Sequence, residues 1–145
     1  LKRERKLAEQ KADQARSQIV SFKENIIEKE NLIFKLQKQL ALDNEQLNES
    51  LLQYTLVTDT EWEKFRLEFS KAYPDFLPSL QQILPAINPA EERLATLLYL
   101  KLTSNQIANT LGIGKESVGR SKRRLKQRLN LETGAKLEDF IYSLT

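Results

Sequence analysis

Thr103 to Leu129 reads TSNQIANTLGIGKESVGRSKRRLKQRL: two apolar-spaced segments, a glycine-containing junction, and a closing run of arginine and lysine. The spacing meets the three demands of a helix-turn-helix. Ala108 is small where two helices must touch, Gly112 follows four positions later where the chain must turn tightly, and Val118 is a branched apolar residue six positions further on. Ile107, Leu111, Ile113, Leu125 and Leu129 complete an apolar face. On a helical wheel of about 100° per residue, Leu125 and Leu129 fall within about 20° of Val118. Glu116, Arg120, Arg123 and Gln127 point the opposite way, within about 40°, and Lys115, Ser117, Arg124, Lys126 and Arg128 flank them. One face packs; the other is polar and mostly cationic.

The charge is local. The chain of 145 residues has a net charge of only +3, yet residues 101–131 hold 8 basic and 1 acidic side chain, while residues 57–100 hold 4 and 7. An ordinary solvated helix face mixes signs, as residues 1–56 do with 10 basic and 9 acidic side chains. A one-sign block on one helix face is the footprint of a nucleic-acid contact. The composition removes rivals. With no cysteine and no histidine, there is no thiolate metal site and neither the commonest general base nor the commonest metal ligand. The carboxylates are scattered on helix surfaces. No catalytic group, metal site, cofactor or small-molecule site is legible, and the chain reads as a binding protein and not an enzyme.

Outward from this stretch, the sequence predicts an all-α fold in three parts: 1–54, a long coiled-coil helix; 58–87, a helical linker packing on the C-terminal domain; and 88–145, that small helical domain, carrying the helix-turn-helix. Ala12, Ala15, Ile19, Phe22, Ile26, Lys29, Ile33, Leu36 and Leu40 alternate spacings of three and four, the seam of a coiled coil. Asn44, Leu47, Leu51 and Tyr54 resume the rhythm after a stutter at Leu36, Leu40 and Asn44. The expectation is a homodimer through Ile19, Phe22, Ile26, Ile33, Leu36, Leu40, Asn44, Leu47 and Leu51. The alternative is an amphipathic helix folded back on its own chain, and Val20, Ile27 and Phe34 widen the apolar face enough for a larger bundle. LQYTLV (52–57) is the only alternation that would suit a strand. In 58–87, Trp62, Phe65, Phe69 and Tyr73 make one apolar stripe ended by Pro74, and Phe76, Leu77, Leu80, Ile83 and Leu84 a second closed by Pro85. These aromatics could stack on bases, but their acidic surroundings favour core packing. Asn88, Pro89 and Glu91 form a helix start.

The run NPAEERLATLLYLKLTSNQIANTLGIGKESVGRSKRRLKQRLNL (88–131) resembles the LuxR/GerE-type helix-turn-helix domain, from the Pro-x-Glu start through LTxxxIAxxLxI to SVxxxxxRLxxRL without a gap. With TDTEWEKFRLEF and the preceding heptads, the chain looks like the C-terminal part of a class of bacterial regulators. In that class tetratricopeptide repeats, often with one membrane span, precede a coiled coil and this domain. The resemblance implies a transcription regulator. Gly114 departs from the usual serine cap of the recognition helix, and Gly119 from a longer polar or basic side chain, which removes one base reader. Arg120 and Arg123 are the candidates for guanine edges and Glu116 for cytosine. Gln127 lies on the same face. Thr103, Ser104, Lys115, Ser117, Arg124 and Lys126 are placed for phosphate.

The expected partners are double-stranded DNA, a second copy of the chain, and RNA polymerase. The alternatives are a module like region 4 of a sigma factor, touching RNA polymerase, and a structural coiled-coil adaptor whose basic helix binds an acidic protein. The chain starts at Leu1 and has no methionine, so it reads as an excerpt of a cytoplasmic protein. LKRERK (1–6) carries four basic residues, which oppose a helix dipole at its start. It suits the cytoplasmic flank of an upstream membrane helix.

Overall fold

The computed structural model describes residues 2–39 and 57–144. Among these the protein is all-helical: a long N-terminal helix, α1 (Lys2–Gln39), then α2 (Asp59–Ala72), α3 (Phe76–Ile83), α4 (Pro89–Tyr99), α5 (Ser104–Leu111), α6 (Lys115–Arg128) and α7 (Leu137–Tyr142). None is long and apolar enough to cross a membrane.

Local chemistry sets the boundaries. Three helices start on reciprocal capping boxes: Thr58 with Glu61, Asn88 with Glu91, and Thr103 with Gln106. Each box satisfies two backbone N–H groups that a helix start leaves open. Pro89 occupies the first turn of α4, where its missing N–H costs nothing.

The aromatic stripe is core. Phe69 and Phe76 are fully buried, Trp62 and Phe65 nearly so. Rings follow one another from Trp62 to Phe65 (5.6 Å), Phe69 (5.6 Å) and Tyr99 (5.8 Å), separations at which tilted and edge-on pairs attract. Arg66 pairs with Glu92 at 3.2 Å, and the Arg93 guanidinium lies 5.0 Å from the Trp62 ring, so α2 is tied to α4 as well as packed on it.

The upstream half of the N-terminal helix packs on its own chain. Ala15, Ile19 and Ile26 are 1–2% exposed within a single chain. Phe22 stacks on Phe65 with centroids 4.1 Å apart and sits 6.0 Å from Trp62; Lys29 pairs with Glu61 at 3.8 Å. The upstream part of the seam, at Ile19, Phe22 and Ile26, is therefore covered within the chain itself, Phe22 against the aromatic face of α2, which is the arrangement of the folded-back alternative. The physical reason is simple. A heptad records that another helix lies along this face, not which chain supplies it, and an aromatic stripe on the same chain has matching period. The side chains of Ile33 and Leu36, and all of Leu40, Asn44, Leu47, Leu51, Tyr54 and most of the 52–57 alternation, and with them the stutter, lie outside the described residues.

Further along, α1 reaches the helix-turn-helix. Glu30 accepts a hydrogen bond from Asn109 of α5, while its Oε2 is buried without a hydrogen-bond partner. Burial pushes this carboxyl above its usual 4.5, and the Asn109 bond only partly offsets that. A carboxyl raised on folding favours the folded state at low pH, and that contribution is lost as pH rises through the raised value. Glu30→Gln is therefore expected to melt above the parent at neutral pH. The gap should close as pH falls toward the usual value, and thermal melts at both ends would check it. Equal melting at neutral pH would contradict this account of Glu30.

Candidate nucleic-acid interface

The site is built on α5, the turn and α6. Thr103 caps α5, and Gly112 ends it in the left-handed conformation (φ 70°, ψ 33°), returning its N–H to the Ala108 carbonyl. A side chain is disfavoured at that φ, so Gly112 is what allows a turn of three residues between the helices. Ile107, Val118 and Leu125 are fully buried, with Ala108 and Leu129 nearly so, which seats α6 against α5 and the rest of the domain. Ile113 of the apolar face stays 39% exposed; it lies in the turn, beyond the packed stripe.

The opposite face of α6 is open. Lys115, Glu116, Arg120, Arg123, Arg124 and Gln127 are exposed; Ser117 and Lys126 are half-buried. Arg120 donates to the Ser117 hydroxyl at 3.0 Å, which steadies it, and Arg123 reaches back to the Gly119 carbonyl at a long 3.5 Å. No acid pairs with Lys115, Arg120, Arg123, Arg124 or Lys126 among the described residues. The structure thus gathers the sequence-selected cations on one surface with their charge uncompensated.

Two further cations of the basic block, Lys122 and Arg128, are spent inside the domain. Lys122 pairs with Glu138 of α7 at 3.4 Å and donates to the Ser104 hydroxyl at 3.3 Å. Arg128 pairs with Glu91 and donates to the Ala86 carbonyl at 3.0 Å. Ser104, expected to meet phosphate, is therefore already engaged by Lys122. Thr103 is exposed; its oxygen accepts the Gln106 N–H at 3.2 Å, leaving its O–H able to donate outward. The wheel carries this division only in part: Lys122 lies about 40° from Val118, on the inward half, but Arg128 at about 80° is no further inward than the unpaired Lys126.

Two glycines shape the surface. Gly114 is the N-cap of α6 and supplies no side-chain bond, so no side chain covers the first-turn N–H groups. Gly119 lies mid-helix, and a Cβ there would meet nothing within 4 Å. Gly119→Ala should then stabilise the chain by about 0.5–1 kcal/mol, the helix-propensity difference alone. Chemical denaturation would check it; a loss of stability would show that the open space is needed for packing.

Among the described residues, no group of carboxylates could hold a metal ion. Compared with protein-family models, curated proteins and solved structures, the chain finds no match.

Proposed function

We propose that the chain is a sequence-specific DNA-binding transcription regulator, the output part of a larger protein, with α6 as its recognition helix in the major groove. The observation that carries this reading is the row of five cations without acidic partners on the outward face of a helix seated on a tight, glycine-capped turn. A cationic face of this shape matches the phosphate and base edges of a duplex groove. In this reading Arg120 and Arg123 contact guanine edges and Glu116 and Gln127 neighbouring bases. Lys115, Arg124, Lys126, Ser117 and Thr103 hold the backbone, joined by the uncovered N–H groups at the start of α6. The LuxR/GerE-type resemblance of residues 88–145 supports it, with a tetratricopeptide-repeat sensor and a cytoplasmic location, anchored by an upstream membrane span, as its wider form. Pairing of two copies then falls to the seam beyond Ile26, because α2 occupies the upstream half.

The test is selection of binding sequences from a random duplex pool, which should yield an enriched motif. Lys126→Ala and Arg124→Ala should then weaken binding to all sequences alike, each lowering the salt slope by about 1. A pool that emerges unenriched would remove base reading. Binding to an acidic protein with none to duplex DNA would favour the adaptor instead.

A further inference from the structure

Nothing in the sequence marks a small-molecule site, but the fold assembles one away from α6. Where α1 passes the ends of α2 and α4 and the last helix, there is an open groove of about 420 Å³, within the range of small-ligand sites. Val20 and Lys23 come from α1, Tyr73 from the end of α2, Tyr99 and Lys101 from the end of α4, and Tyr142 from α7. No carboxylate lines it.

Its charge is uncompensated. Neither Lys23 nor Lys101 has an acidic partner among the described residues. The Lys101 ammonium sits 5.3 Å from the centre of the Tyr142 ring. Lys101 takes the left-handed conformation (φ 61°) that ends α4, its N–H returning to the Leu98 carbonyl at 3.0 Å, which fixes its side chain at the groove's edge. Tyrosine rings furnish flat apolar surface with polar edges, and the lysines furnish charge at its rim.

We propose that this groove binds a planar aromatic anion, its ring against the tyrosines and its negative group between Lys23 and Lys101. Because the walls come from four helices or their ends, an occupant would clamp α1 to the helix-turn-helix domain. The proposal stands whether or not α6 reads DNA.

The test is titration of the whole chain with 2-naphthoate, followed by NMR of the tyrosine ring signals, with neutral 2-naphthamide in parallel. The expected result is saturable shifts of the Tyr73, Tyr99 and Tyr142 rings below about 1 mM. The amide should bind about tenfold more weakly or worse. Lys23→Gln and Lys101→Gly should each cost about tenfold in affinity. Lys101→Gly relieves the left-handed backbone, so it should melt no lower than the parent, which separates lost binding from lost folding. Absence of saturable shifts up to about 10 mM, equal binding of the amide, or undiminished binding by both variants would overturn the proposal.

Discussion

Replacing Arg120 and Arg123 together by alanine is expected to cut sequence selectivity sharply while leaving the fold intact. Both side chains are exposed, and among the described residues their only hydrogen bonds are to Ser117 and the Gly119 carbonyl on their own helix. Nothing in the core depends on them. A bidentate arginine–guanine contact discriminates by about 1–3 kcal/mol, so losing two should reduce selectivity by roughly 30-fold at least. Two lost cations also weaken phosphate attraction, so affinity for random duplex should fall as well, but by much less. Competition between a selected sequence and random duplex measures the ratio directly. A double variant that keeps the parent's ratio and its melting temperature would show that base reading lies elsewhere on the surface.

Ile26→Asp should have the largest effect on stability. Ile26 is 2% exposed, in the same buried row as Ile19 and Ala15. Truncating such an isoleucine costs about 2–5 kcal/mol, and a carboxylate in its place adds the penalty of a buried, unpaired charge. The sum approaches the whole stability of an ordinary domain, about 5–15 kcal/mol. The expected outcome is undocking of α1, seen as loss of amide-exchange protection across the α1 segment that packs on α2, with a sharply lowered melting temperature. The same experiment separates packing in cis from pairing between chains. If Ile26 stabilises its own chain, the parent's melting temperature is independent of protein concentration through this contact. If it lay between two chains, melting would shift with concentration, and Ile26→Asp would yield a folded monomer with its α1 amides as protected as before.

Much of the helix-turn-helix was legible because each of its demands falls on one residue within a short span. Ala108, Gly112 and Val118 sit at fixed offsets, and a wheel sorts α6 into packed and open faces. The helix starts were legible for the same reason: Asn88 with Glu91 is a local signal three residues long. What the sequence did not disclose depends on contacts between distant segments. The partners of Lys122 and Arg128 are Glu138 and Glu91, 16 and 37 residues away, so the basic block appeared more available than it is. The heptad from Ala15 to Ile26 announced a helical neighbour but could not say that Phe65 and Trp62 of the same chain would supply it. The tyrosine groove draws on four helices or their ends, and no short stretch of sequence contains its pattern.

The central claim is that the open face of α6 meets the phosphates and bases of a duplex, and its most direct test is the salt dependence of binding. Affinity of the whole chain for a duplex should be measured by fluorescence anisotropy across a series of salt concentrations. With about four to six phosphates neutralised per domain, at about 0.9 per contact, the log–log slope should lie near −4 to −5. Absence of binding at low salt, or affinity that does not change with salt, would contradict the account.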